Sequence, residues 1–125
     1  MPTHTLTYSI QAGGDALAYP VASTAGSETN VSESVAESQT DYVIMLTVDV
    51  STLKSWILHS TGACTVKTYS GVSLVDTFTV AANSPFVWHY GSPIALPFAG
   101  DFDRLKVTNT PAVTITVKCL QDPTP

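Results

Sequence analysis

Apolar and polar positions alternate along most of this chain, and a period of two places every second side chain on one face of a strand. HTLTYSI sets Leu6, Tyr8 and Ile10 against Thr5, Thr7 and Ser9, the pattern of a half-buried strand. TDYVIMLTVDV sets Tyr42, Ile44, Leu46, Val48 and Val50 on one face and Val43 and Met45 on the other, which predicts a central strand. SWILHS is apolar on both faces, ACTVKTYS sets Cys64 and Val66 against Thr65 and Lys67, and a strand opening at Asp76 carries Phe78 and Val80. DRLKVTN turns Leu105 and Val107 inward, and AVTITVKCL does the same with Val113, Ile115, Val117 and Cys119. Thr110-Pro111 between those two runs predicts a hairpin.

The breaks in the alternation set the connections. Gly13-Gly14 ends the first strand, and residues 15–39 read as a polar connection or arm rich in Ser, Thr and Glu, with Pro20 and Gly26. Within it, SETNVSESVAES aligns Val31, Glu33 and Val35 on one strand face, although Val31 and Val35 also align on a helix; an exposed edge strand or extended arm is expected. Ser51-Thr52-Leu53-Lys54 predicts a single turn, and Thr61-Gly62 and Ser70-Gly71 predict tight ones. Pro93, Pro97 and Gly100 predict an ordered loop over residues 91–101, packed by Ile94, Leu96 and Phe98, because proline cannot donate to a strand ladder. Residues 121–125 read as a short C-terminal tail. Eight or nine short strands without a long helix predict an all-β fold, an antiparallel sandwich or barrel of jelly-roll type, as one domain over residues 1–125.

Composition narrows the partners. Charged residues make up 12% of the 125 positions, and the net charge is -5. Residues 1–53 carry Asp15, Glu28, Glu33, Glu37, Asp41 and Asp49 but no Lys or Arg; Lys54, Lys67, Arg104, Lys106 and Lys118 all follow. That balance argues against nucleic acid as a partner, because phosphate binding needs a basic patch. No apolar window approaches the roughly 20 residues of a membrane span, and MPTHTLTYS lacks the features of a signal peptide, so a soluble chain made in a cytoplasm is expected. Cys64 and Cys119 have no CxxC partner and read as buried free thiols or as a cross-strand disulfide.

The common catalytic and phosphate-binding motifs are missing, so no catalytic, cofactor-binding or metal-binding residue is assigned and no cofactor is expected. His4, His59 and His89 would need the fold to converge them before they held zinc. Asp101 and Asp103 flank Phe102 and suit either a hard cation or acid–base pair, or local capping of the backbone. Glu28, Glu33, Glu37 and Asp41 form an acidic ladder, either a contact for a basic partner or a solvated face that discourages edge pairing. Asn30-Val31-Ser32 matches a glycosylation acceptor, a pattern of little weight without a secretion signal.

The densest aromatic cluster, TVAANSPFVWHY, reads as one strand running into the second half of a β-hairpin. Alternation puts Phe86, Trp88 and Tyr90 on one face and Val87 and His89 on the other. The three rings belong to a core, to a subunit interface, or to a platform that stacks sugar rings.

DVSTLKSWILHS, DTFTVAANSPFVWH, DFDRLKVTN and VTITVKCLQDPTP together resemble segments of small all-β structural proteins of tailed bacteriophage virions, similar to capsid decoration or cement proteins and related head accessory proteins. The resemblance covers about residues 40–125. It implies a non-enzymatic subunit on the outer capsid surface that bridges copies of the major capsid protein, often as a trimer; the charge balance and hydropathy above leave nucleic acid and membrane out of its expected partners. The candidate interface lies in the arm, at Glu28, Val31, Glu33 and Val35, and in the aromatic strand and following loop, at Phe86, Trp88, Tyr90, Ile94, Leu96 and Phe98. A second reading makes the chain a carbohydrate-binding or host-recognition module of a phage tail, with Trp88 and Tyr90 as its platform.

Overall fold

The computed structural model describes residues 3–12, 15–24 and 27–122, with the backbone alone at residues 4, 6–12 and 15–24. The alternating runs form strands β1 (Thr3–Ala12), β2 (Asp15–Thr24), β3 (Ser27–Val35), β4 (Tyr42–Val48) and β5 (Leu53–Ser60). Strands β6 (Cys64–Ser70), β7 (Ser73–Val80), β8 (Phe86–His89), β9 (Phe102–Asn109) and β10 (Val113–Gln121) complete the described set. One 3-10 turn, Val50–Thr52, stands where the Ser51-Thr52 run predicts it; the Asp49 carboxylate caps it by accepting from the Ser51 N–H at 3.0 Å.

Two four-stranded antiparallel sheets, ordered β3-β10-β5-β8 and β4-β9-β6-β7, face each other, and β1 pairs with β2 separately. The pairs β3–β10, β4–β9, β5–β8 and β6–β7 are those of one long hairpin rolled up on itself, the arrangement of a jelly roll. This is the all-β sandwich that the alternation predicts. Eight strands make the sandwich; β1 stands where HTLTYSI predicts a strand, and β2, in the region read as a polar connection, brings the described strands to ten.

Several local expectations are corrected by the same topology. Residues 15–39 are not one polar connection, since β2 and β3 both lie within them; the edge strand expected in SETNVSESVAES is β3, which pairs only with β10 among the described strands. The predicted Gly13-Gly14 break lies outside the described residues. β4 is an edge strand and not a central one, since it pairs only with β9 among the described strands; Val43 and Met45, alternating with buried Ile44 and Leu46, face outward and are exposed. The predicted hairpins β7–β8 and β9–β10 do not form, because each pair spans the two sheets. Alternation fixes which face a residue takes but carries no information on which strand lies beside it. β6–β7 is a true hairpin, closed by the two-residue loop Gly71-Val72, and Gly71 there adopts φ +62, a value glycine takes without a Cβ clash. Gln121, placed in the tail by the sequence, ends β10 and donates from Nε2 to the Thr47 carbonyl at 3.2 Å.

The inward positions fill the space between the sheets. Ile44, Leu46, Leu58, Val66, Leu105, Val107, Ile115 and Val117 form the centre of the core. Gly62 turns the chain against that core: a Cβ there would come within 2.8 Å of Val113 Cγ1. Asn109, buried at the end of β9, holds the β3–β4 connection. Its Oδ1 accepts from the Gln39 N–H at 3.1 Å, and its Nδ2 donates to the carbonyls of Ala36 at 2.9 Å and Pro111 at 2.6 Å.

Candidate functional site

The aromatic segment is built into the sandwich by the short strand β8. Its register pairs Trp88 with Trp56 and Phe86 with Leu58, both inward, so Val87 and His89 face out. Trp88 is 9% exposed, and its Nε1 donates to the Ile94 carbonyl at 3.1 Å, which ties down the loop that follows. From that loop Phe98 inserts between the sheets, with its ring centroid 5.0 Å from Trp56, 5.2 Å from Phe102 and 5.6 Å from both Phe78 and Phe86.

This geometry corrects the candidate interface. Val35, Trp88 and Phe98 are core residues of the protein itself and present no surface to a partner. Leu96 and Phe86 are partly buried against the same core, as is Val31. Ile94, expected to pack the loop, is 69% exposed, because the loop is held by its carbonyl and not by its side chain. Tyr90 is 66% exposed just past the end of β8, with the Lys54 ammonium 3.8 Å from its ring centroid. A sugar platform would therefore have Tyr90 alone, with one ring face already taken by a cation.

The acidic ladder is dispersed. Glu28 is exposed, and alternation along β3 puts it on the opposite face from Val31, Glu33 and Val35. Glu33 Oε1 accepts from the Tyr42 hydroxyl at 3.0 Å, and this bond raises the Tyr42 pKa above its ordinary value. Asp41 lies 3.7 Å from the Lys67 ammonium. Asp101 and Asp103 act on the backbone: Asp101 Oδ1 accepts from the Val50 N–H at 2.9 Å, and Asp103 Oδ1 from the Gly71 N–H at 3.2 Å. The Arg104 guanidinium, bonded to Asp103 at 2.8 Å, holds that carboxyl below its usual range.

His59 lies on β5 and His89 on β8, where its Nδ1 is 3.0 Å from the Tyr90 carbonyl; the His4 side chain lies outside the described residues. Among the described residues no three His, Cys, Asp or Glu side chains come together as a metal site would require. Cys64 and Cys119 are free and buried, which answers the disulfide alternative. Burial pushes the Cys119 thiol up to about 11, against a smaller opposing bond with Thr29. In the native protein at pH 8, Cys119 is expected to resist a thiol-specific reagent until the protein unfolds. The unfolded thiol ionises from about pH 8.5 and the folded one does not, so the associated stability is present below that pH and lost as pH rises toward about 11. Parallel labelling and unfolding measurements between pH 7 and 10 check both.

Two surface features remain. An open cleft of about 430 Å³ lies between the edges of β7 and β8, lined by Phe78, Val80, Pro85 and Phe86 with Thr77, Thr79 and Ser84 at its rim. The outer face of the β4-β9-β6-β7 sheet carries three of the five basic residues, in rows fixed by register: Val43–Lys106–Lys67 and Met45–Arg104–Tyr69–Leu74. Lys106 extends its ammonium over the Tyr69 ring at 4.2 Å, and Met45 and Leu74 are 64% and 53% exposed. Sequence reasoning set Lys67, Arg104 and Lys106 opposite the inward positions of their strands but did not join them to one another or to Tyr69 and Leu74, since the rows run across strands far apart in the chain. Comparison with models of protein families, with curated proteins and with solved structures finds no match for this chain.

Proposed function

We propose that this protein is a non-enzymatic virion structural protein that binds and stabilises a phage capsid as a decoration or cement subunit, acting as a homo-oligomer on the capsid surface. The observation that supports this reading is the edge strand β3, nine residues long and paired on one side only, with β10, among the described strands. On the side away from β10 no described strand pairs with it, and an edge of that kind can add an extended segment of the major capsid protein, a recurring mode of strand addition. Exposed Glu28 and half-buried Glu33 give that edge a negative charge, which selects for a basic partner segment. Occupying many such sites stabilises the assembled shell by mass action, because only the assembled state is bound. The resemblance to virion accessory proteins points the same way.

Particles assembled without this protein are expected to lose outer-surface density in electron cryomicroscopy and to release their genome at a lower temperature. Unchanged release and no missing density would sink the proposal. The carbohydrate-binding reading rests on exposed Tyr90, and an array of glycans probed at millimolar sugar decides it.

A further inference from the structure

β7 and β8 are the last strands of their two sheets, each paired on one side only among the described strands, and the sheets part between them. Phe78 and Phe86, with ring centroids 4.8 Å apart, are half-buried in the open cleft of about 430 Å³, and Val80 and Pro85 extend its apolar lining. No residue from 77 to 88 is charged. An occupant of this cleft is therefore neutral, apolar and narrow enough to lie between two strand edges. An extended segment meets those conditions, and it can also add to β7 on the side where no described strand pairs with it.

The hairpin β1–β2 has the same chemistry. Its register sets Leu6, Tyr8 and Ile10 opposite Val21, Tyr19 and Leu17, which places six large apolar residues on one face. Asp15 is the one Asp, Glu, Lys or Arg in residues 1–24. With ten residues in each strand the hairpin is about 33 Å long, and a two-stranded sheet is marginal in water unless it packs against something. Its own sandwich offers a short patch: β1 approaches β10 and β2 approaches β5, where the cross-strand pair Leu120 and Ser55 is buried, but Lys118, two residues back along β10, is exposed. The hairpin leads into β3, and β3 and β8 are opposite edges of one sheet, three strand spacings or about 14 Å apart. The described residues that line the cleft all come from β7, β8 and the loop between them.

We infer that the β1–β2 hairpin of a second copy of this chain docks its apolar face in the cleft between β7 and β8. The driving force is burial of neutral apolar surface on both sides, with no charge to desolvate along the cleft. The contact joins two different surfaces, so successive copies are related head to tail, and such a chain of copies closes into a ring when the rotation allows. This inference rests on the homo-oligomeric part of the proposed function and names its two surfaces. Its test involves no capsid, so its failure and a failure of capsid binding are told apart.

Sedimentation velocity on the full chain tests it. The wild-type protein is expected to sediment with at least twice its 13.2 kDa chain mass and to keep that mass in about 1 M salt, because apolar burial is not screened as charge pairs are. The cleft variant Thr79→Glu/Ser84→Glu changes two exposed residues of the cleft, and the hairpin variant Tyr8→Ser/Tyr19→Ser removes two rings from the apolar face. Each is expected to be monomeric and still to unfold cooperatively. The variants Ser84→Cys and Ser9→Cys are expected to be joined by a short bismaleimide when the two proteins are mixed, and not when either is treated alone; Cys64 and Cys119 are buried and do not compete. That cross-link decides the matter if a charged variant fails to fold. A monomeric wild type, a folded cleft variant that keeps its oligomeric mass, or a mixture that yields no cross-link overturns the inference.

Discussion

Replacing Trp56 with alanine is expected to lower the unfolding free energy by about 3–5 kcal/mol, a large share of what a domain of this size has in total. Trp56 is 1% exposed on a strand with neighbours on both sides, and Phe98, Phe86 and Phe102 surround its indole at 5.0, 6.0 and 6.0 Å. Removing it opens a cavity between two sheets that other contacts hold apart, so little collapse can compensate. The same side chain carries a liability: its Nε1–H is buried and has no hydrogen-bond acceptor among the described residues. An orphaned donor of this kind costs about 1–3 kcal/mol. Trp56→Phe removes the donor and keeps most of the ring, so it is expected to lie within about 1 kcal/mol of wild type, the lost area being offset by the relieved donor. Urea unfolding of both variants separates the effects; a Trp56→Phe variant as unstable as Trp56→Ala would show that the indole N–H is satisfied after all.

Asn109→Ala is expected to cost about 2–4 kcal/mol, because it leaves the Gln39 N–H and the carbonyls of Ala36 and Pro111 without the partner they share. Asn109→Asp tests the direction of those bonds. An ionised carboxylate would face two carbonyl oxygens where the amide donated, so this variant is expected to be the less stable of the two at pH 7. In the unfolded chain the new carboxyl ionises near pH 4, while in the folded protein its ionisation is opposed by burial and by the two carbonyls. The penalty therefore grows as pH rises above about 4 and disappears below it. Unfolding free energies measured from pH 3 to 7 check the sign; a pH-independent loss would show that Asn109 contributes by shape alone.

Asn109 also marks where reading the sequence stops. Alternation along DRLKVTN places it inward with Leu105 and Val107, but its partners lie 70 and 73 positions away in the segment that joins β3 to β4. Trp88 is a similar case. Its inward face was legible from FVWHY, yet whether the ring covered a partner or the protein's own core depended on Phe98 and Ile94, which sit in a loop without period. Tyr90 and Ile94, assigned to one surface with Trp88, turn out to be the exposed members of that set. The basic sheet face needed Lys67 on β6 and Lys106 on β9 to be cross-strand neighbours, a pairing that neither strand's own pattern encodes.

By itself, the order of residues determined that the fold is all-β and, along β4, β6, β9 and β10, which side chains face the core, because side-chain alternation is a local property of an extended backbone. Only the tertiary structure decided that β7 and β8, or β9 and β10, belong to different sheets, that β4 is an edge, and that Lys67, Arg104 and Lys106 share one face. Each of those is a question of which strand lies beside which. Partners in a rolled hairpin are chosen by how the two sheets close over a common core, and that choice is made across the whole chain at once.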